Sequence, residues 1–250
     1  MKNLIIGLLL LPLFAVGQIN DTWDAVKTGT TDMGKIYVGS TLVWAKPSQN
    51  PAYFGTGYMR FASSSSTMEL PMPSSVSSNQ VAVAVITLVK TGTSTGSIST
   101  PSGWAKVTEF TTSTNYNVLF AKSLNGSEPS SYDFTQTFSN FSYMWGAIFS
   151  YSNASNFTNA TTGLYVNTTG FSVNTTPTTG RLCVNFCAIP DGQTISVSGD
   201  YSTNVRLGGS GYGQTIAATS VLGDGSQKTV TYSWPTQVSF ASTYNGLEIY

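Results

Sequence analysis

The sequence predicts an all-β protein whose main domain is a β-sandwich of the jelly-roll type. From residue 52 to the end of the chain, short apolar and aromatic runs alternate with clusters of Gly, Ser, Thr and Asn. Helical periodicity is almost absent beyond the first 18 residues. Residues 81–89 (VAVAVITLV) are apolar on both faces, as expected of a central strand that is covered on both sides.

The chain begins with a hydrophobic leader. Residues 4–17 follow Lys2 and end in Ala15-Val16-Gly17, a pattern that resembles a secretory signal with a small-residue cleavage site. The run is shorter than the ~20 residues that a spanning helix needs. We therefore interpret residues 1–18 as a signal peptide or, alternatively, as a hydrophobic anchor.

Residues 19–50 are predicted to attach the protein to a partner. Residues 19–32 are polar and predict an extended or irregular chain, whereas residues 35–44 (KIYVGSTLVW) predict a hairpin that turns at Gly39-Ser40. A single hairpin of this size is marginally stable alone, so we expect it to pack on a partner or on the sandwich.

The sandwich is predicted to occupy residues 51–250, with strands separated by regular turn signals. The expected strands are residues 53–61, 80–89, 105–110, 116–122, 131–138, 143–151, 181–189, 194–197, 204–207, 213–219, 228–233 and 238–249. Residues 153–179, rich in Asn, Thr and Ser, predict a long excursion with one or two weak strands. No repeat of solenoid period is visible.

The core is predicted from the apolar positions of these strands. It should contain the alternate residues of 81–89 together with Leu119, Phe134, Trp145, Ile148, Leu182, Val184, Phe186 and Leu247. Cys183 and Cys187 lie four residues apart on one strand, which is about 13 Å. A disulfide needs Cα atoms within about 7 Å, so we predict two free, buried thiols.

The composition argues for binding or assembly rather than catalysis. Charged residues make up 9% of the 250 residues, the net charge is zero, and histidine is absent. Neutrality gives no electrostatic attraction to nucleic acid. The absence of His removes the commonest general base and the commonest metal ligand. We predict no catalytic residues, no cofactor and no metal.

Few side chains suggest a site. Glu109 paired with Glu128 or Asp133 is the best candidate for a glycosidase-like carboxylate pair, and it is weak. The glycine-rich residues 208–213 lack the Lys of a phosphate-binding loop. Tyr201 and Tyr212 lie near loops and are candidate surface-binding residues. Residues 153–174 and 208–212 are the predicted contact loops.

Three segments together resemble a β-sandwich module of bacteriophage tail, fibre and other virion proteins. They are residues 101–107 (PSGWAKV), 117–135 (NVLFAKSLNGSEPSSYDFT) and 145–153 (WGAIFSYSN). Residues 34–45 (GKIYVGSTLVWA) separately resemble hairpins near the start of phage structural proteins. The resembling residues belong mostly to turns and core, so they indicate a fold more than an activity.

The resemblance implies a phage virion surface structural protein, a decoration, fibre or host-adhesion component that binds rather than catalyses. Its partners would be other virion proteins through the N-terminal segment and a host surface or glycan, with no nucleic acid. Weak loop contacts would be multiplied in a homo-oligomer such as a trimer. The alternative is a secreted or outer-cell-surface bacterial β-sandwich that binds a ligand such as a glycan. A hydrolase is the least favoured class.

Overall fold

The computed structural model describes residues 26–28, 31–33, 35–38, 41–45, 49–57, 60–62, 65–165, 168–189, 192–208, 214–238 and 242–250. Within these ranges every regular element is a β-strand and every strand pair is antiparallel. No helix of the described part is long and apolar enough to cross a membrane. The predicted leader, residues 1–18, lies outside the described residues.

The chain divides between Gln49 and Asn50 into two compact units. In the first unit, β1 (Val26–Thr28) pairs with β2 (Thr31–Met33), and β3 (Lys35–Val38) pairs with β4 (Thr41–Ala45). The predicted hairpin of residues 35–44 is confirmed as β3 and β4. Before it, where an extended or irregular chain was expected, the described residues are extended and pair as β1 and β2.

The second unit contains the sandwich. Its strands are β5 (Ala52–Thr56), β6 (Arg60–Ala62), β7 (Thr67–Pro71), β8 (Gln80–Lys90), β9 (Ala105–Thr111), β10 (Asn115–Ser123), β11 (Ser131–Thr135), β12 (Phe141–Ser152), β13 (Phe157–Tyr165), β14 (Thr168–Thr175), β15 (Leu182–Ile189), β16 (Ser196–Gly199), β17 (Ser202–Gly208), β18 (Thr215–Leu222), β19 (Lys228–Val238) and β20 (Ser242–Ile249).

Two large sheets form the centre of this unit. The first has the order β5-β12-β8-β10-β9, with β6 also paired to β12, and the second has the order β13-β20-β15-β18-β17. Their facing sides share one hydrophobic core, to which Val85, Phe149 and Trp145 contribute from the first sheet and Phe186 and Leu247 from the second. The antiparallel all-β sandwich is thus confirmed.

Each large sheet is also covered on its outer side. The pair β7 and β11 covers the first sheet, with Phe134 and Leu70 in the core between them. The sheet β14-β19-β16 covers the second, with Tyr232 and Phe171 between them. The unit is therefore a stack of four β-layers with three cores.

The four-layer stack explains why two strands are buried along their whole length. Every residue of β8 and of β15 is buried, because each strand is central in its sheet and each sheet is covered on both faces. The prediction that residues 81–89 form a buried central strand is confirmed. All the other residues predicted for the core are buried as well.

The unit consists of two structural repeats, the first formed by β5–β12 and the second by β13–β20. The large-sheet orders β5-β12-β8-β10-β9 and β13-β20-β15-β18-β17 become identical when the strands of each repeat are counted from its start, with β6 and β7 standing together for β14 and the bridge at Ile98 counted in the place of β16. The outer sheets correspond too, since an Ile98–Gln136 bridge beside β11 occupies the place of β16 beside β19. Each repeat has the connectivity of a jelly roll.

The repeats agree in residue-level detail. The ladder between β9 and β10 shifts register between Leu119 and Phe120, and the ladder between β17 and β18 shifts at the corresponding place, between Thr203 and Val205. The bulge is therefore a feature of the repeat rather than a local defect.

The turn after β10 matches the turn after β18. Asn125 Oδ1 accepts a bond from Ser127 N at 2.8 Å, and Asp224 Oδ1 accepts one from Ser226 N at 2.9 Å. The glycine between these residues has a φ of 83° in the first turn and 81° in the second. Such a backbone conformation strongly favours glycine.

The structure revises three expectations about strands and repeats. The one or two weak strands expected in residues 153–179 are β13 and β14, nine and eight residues long, and they belong to sheets of the sandwich rather than to an excursion. The strand β7 was not predicted. No repeat of solenoid period was expected. The structure contains a much longer repeat, whose period is about half of the sandwich.

Candidate functional site

Tyr201 does not lie on a contact surface. It stands directly before β17, is 5% exposed, and packs in the core between the second large sheet and its outer sheet. Its hydroxyl shares a 2.6 Å hydrogen bond with the Thr175 hydroxyl and donates to Cys183 Sγ at 3.1 Å. The prediction that Tyr201 is a surface-binding residue is therefore wrong, because packing on β14 and β15 buries the ring. Tyr212 lies outside the described residues.

Tyr201 has a counterpart in the first repeat that explains its burial. Trp104 occupies the same place, directly before β9, and is 7% exposed. Its ring packs edge-on against Tyr132 and Phe134, with ring centroids 5.3 and 5.8 Å apart. In each repeat, an aromatic residue directly before β9 or β17 thus packs in the core between the large sheet and its outer sheet.

Residues of the segments that resemble phage proteins converge beside Trp104. Lys122 Nζ lies 2.7 Å from Glu128 and donates to the Tyr132 hydroxyl at 2.6 Å. The Tyr132 hydroxyl in turn donates to Glu128, which also accepts from the backbone N of Asn125 at 3.0 Å. These contacts fix the turn between β10 and β11, so the motif has a structural role.

The candidate carboxylate pair is divided between separate networks. Glu109 on β9 binds Lys106 at 2.8 Å and accepts a bond from Tyr116, whereas Glu128 binds Lys122. Asp133 lies on β11 and is exposed. In the structure each glutamate is paired with a different lysine, so the two carboxylates belong to separate contacts rather than to one cleft.

The pKa values of the two glutamates move in the same direction. Hydrogen bonds from Lys106 and Tyr116 lower the pKa of Glu109. Burial alone would raise the pKa of Glu128, but the hydrogen bonds from Lys122 and Tyr132 outweigh it, so the net pKa is lowered. A glycosidase general acid needs a raised pKa, which neither carboxyl has.

Both cysteines are free and buried, as predicted. They project from β15 into the core beneath the outer sheet. Burial raises the pKa of both thiols. A raised pKa keeps the thiol protonated and therefore a poor nucleophile.

A groove in the second repeat is lined by hydroxyl, amide and carboxylate side chains together with apolar residues. It has a volume of about 280 Å³ and lies where β13, β14, β15 and β20 meet. We call it the β14 groove, and its lining consists of Thr161, Asn174, Thr175, Thr176, Pro177, Cys183, Leu247 and Glu248.

Glu248 is the charged group of the β14 groove. It is 6% exposed, and its carboxylate accepts a hydrogen bond from the backbone N of Thr178 at 2.9 Å. Arg181 Nη1 lies 3.4 Å from the other oxygen, and the Arg181 guanidinium sits 4.1 Å from the centre of the Tyr250 ring. The carboxylate therefore anchors the turn that leads into β15.

A smaller groove lies at the corresponding place in the first repeat, between β5 and the turn that follows β7. Its volume is about 220 Å³. Its lining includes Phe54, which is 42% exposed, and Ser75, whose φ is 63°. At the position that Glu248 takes in the second repeat, the first repeat has Ser150.

The β14 groove was not predicted from the sequence. Glu248 was one of many scattered acidic residues, and the groove residues are far apart in the chain. One signal was present: Glu248 interrupts the apolar residues Leu247 and Ile249 on a strand predicted to be in the core. A carboxylate in such a place needs a buried partner. Of the two predicted contact loops, residues 153–174 contain β13 and most of β14. Residues 208–212 lie almost wholly outside the described residues.

Comparisons of the chain with protein-family models, with curated proteins and with solved structures found no match. Among the described residues, no group of three or more His, Cys, Asp or Glu side chains is placed to hold a metal ion.

Proposed function

We propose that this chain is a bacteriophage virion surface protein that acts by binding or assembly rather than by catalysis. The observation that carries the proposal is the pair of stacked jelly rolls, with three filled cores and polar turns at the strand ends. Jelly rolls are common in viral capsid and lectin domains, where a rigid sandwich presents its loops.

The residues behind the phage resemblance give a second line of support. Trp104 comes from the first of the resembling segments and Lys122, Glu128 and Tyr132 from the second, and they form one contact cluster. The resemblance therefore rests on residues that cooperate in one structural unit rather than on isolated short matches.

The N-terminal unit is proposed to attach the protein to its particle. Its described strands are three to five residues long and pair only as two-stranded hairpins. Two-stranded hairpins are at best marginally stable in water. A partner surface would supply the missing burial, and a homo-oligomer would multiply weak contacts made by the sandwich.

The test is to locate the chain in its native source. Antibodies raised against residues 50–250 should label the outside of purified phage particles in immunogold electron microscopy. A deletion of residues 19–44 should abolish incorporation into particles while the sandwich remains folded. Antigen found only in the cell envelope or the medium would reject the virion assignment and favour a bacterial surface protein.

A further inference from the structure

We infer that the β14 groove binds the ring of a neutral saccharide. This inference rests on the proposed binding function and names the chemistry of one of its ligands. It follows from the charge balance, the hydrogen-bonding groups, the apolar wall and the size of the groove.

The charge balance favours a neutral ligand. The carboxylate of Glu248 is matched by Arg181, which is itself stacked on Tyr250. An anion would meet the carboxylate and a cation already engaged, and a cation would compete with Arg181 for Glu248. A neutral ligand avoids the desolvation cost of an added unpaired charge.

The rim of the groove offers hydrogen bonds to a ligand with several hydroxyls. Asn174 is exposed, and its Oδ1 accepts from Thr229 Oγ1 at 2.7 Å, which leaves the NH2 group to donate. Thr176 is exposed, and its hydroxyl bonds to no other described residue. Glu248 and Thr161 add a carboxylate and a hydroxyl group to the lining. Hydroxyl groups both donate and accept, so a sugar matches this mixture.

The floor of the groove is partly apolar. Pro177 and Cys183 line it together with the hydroxyl and amide groups, and Leu247 contributes from a strand on which its side chain packs in the central core. A pyranose ring has an apolar C–H face and an edge of hydroxyls, so it can meet both kinds of surface at once. Ligand sites commonly combine apolar walls with a few placed polar groups in this way.

The volume limits the ligand to a small one. About 280 Å³ falls just below the roughly 300–1,000 Å³ of drug-sized sites. One sugar ring, as a terminal residue of a glycan, suits this space better than an extended oligosaccharide. A single shallow contact of this kind is expected to be weak, in the millimolar range.

The experiment maps sugar binding on the full chain by nuclear magnetic resonance. The ¹⁵N-labelled protein is titrated with glucose, galactose, mannose and N-acetylglucosamine up to millimolar concentrations. At least one sugar should shift the backbone signals of Thr176 and Thr178. Thr176→Trp, which blocks the groove from an exposed position, should weaken binding at least about tenfold.

The controls separate the groove from the fold. Ser74→Trp places the same side chain at the rim of the smaller groove in the first repeat and should leave the affinity unchanged. Thr176→Val keeps the shape of Thr176 but removes its hydroxyl, and it should weaken binding even if Thr176→Trp fails to fold. The inference is overturned if no sugar in the panel shifts the groove signals, or if both Thr176 variants bind as the unchanged protein does.

The outcomes also separate this inference from the proposed function. Particle labelling without any sugar-induced shifts would reject the saccharide site and keep the virion assignment. Sugar binding at the groove by a protein found only on the bacterial surface would keep the saccharide site and reject the virion assignment.

Discussion

The Lys122–Glu128 ion pair shows how a single contact can hold a turn. Of the ion pairs between described residues it is the most shielded, with side-chain exposures of 13% and 1%. The pair also receives the Tyr132 hydroxyl and the Asn125 backbone N, so the carboxylate has several donors. A buried charge with full hydrogen bonding is tolerated, but it becomes costly when one partner is removed.

We predict that Lys122→Met destabilises the protein by about 2–4 kcal/mol, because it leaves Glu128 buried without its cation. Urea unfolding at neutral pH measures this loss. The matched control is Lys106→Met, which breaks the Lys106–Glu109 pair, whose side chains are 33% and 46% exposed. Its cost should stay below about 1 kcal/mol. Equal losses in the two variants would contradict the assigned role of burial.

The same pair predicts a pH dependence. The pKa of Glu128 in the folded chain is lowered from its ordinary value of about 4.3. Its contribution to stability is therefore complete above that value and is lost as the pH falls through the folded pKa. We expect Glu128→Gln to flatten the fall in unfolding free energy in acid. We also expect the cost of Lys122→Met to shrink there, since a protonated Glu128 needs no cation. A cost that does not change with pH would contradict this account.

At the scale of elements, the matching turns after β10 and β18 connect sequence to geometry. In both turns a side-chain oxygen accepts a backbone N–H two residues on, and a glycine with positive φ stands between them. The side-chain acceptor is Asn in one turn and Asp in the other, and either residue can form this Asx-type turn. The geometry is kept although the residue differs.

We predict that Gly126→Ala and Gly225→Ala each cost about 1–2 kcal/mol, because an L-residue at that φ is strained. An added Cβ would lie 3.3 Å from Ser78 N in the first and 3.2 Å from Thr179 Oγ1 in the second, so neither meets a severe clash. Thermal unfolding of both variants should therefore shift by similar amounts. Gly163→Ala is the control, since its added Cβ would meet only ordinary contacts at 3.6 Å or more. It should be neutral or stabilising.

At the scale of the whole sandwich, the two repeats are joined through the same face of their large sheets. Phe149 of the first repeat packs on Phe186 of the second, with ring centroids 4.9 Å apart. β13 of the second repeat contacts β9 of the first. Joining through equivalent faces is the arrangement seen at two-fold interfaces between identical subunits. Because the shared core belongs to both repeats, they should unfold together.

We predict that residues 50–250 unfold in one cooperative transition within the full chain. Far- and near-ultraviolet circular dichroism, recorded during unfolding, should give the same transition. A double-mutant cycle of Phe149→Leu and Phe186→Leu should give a coupling of about 0.5–1.5 kcal/mol across the repeat boundary. The control cycle pairs Phe186→Leu with Phe134→Leu, which lies in a different core, and should be additive within about 0.5 kcal/mol. Two separate transitions with no coupling would mean that the repeats fold independently.

Much of the fold was predictable because strand patterning is a local property. Apolar residues on both faces of residues 81–89 identified a central strand, and four-residue spacing identified two unpaired cysteines. The strands β13 and β14 were expected only as one or two weak strands, because their Asn- and Thr-rich residues are largely half-exposed. The candidate groove was missed because its residues are far apart in the chain. Glu248 reaches the Thr178 backbone and the Arg181 side chain across sequence separations of 70 and 67 residues.

By itself, the sequence determined the all-β class, the central strands, the N-terminal hairpin and the buried free thiols. These follow from side-chain alternation and from the rise of an extended chain, which neighbouring residues alone decide. Only the tertiary structure decided the four-layer stack, the two jelly-roll repeats, the burial of Tyr201 and the β14 groove. Each depends on which strands become neighbours. The repeats preserve strand order, a bulge and turn geometry while their side chains differ, so no repeat was visible in the residues themselves.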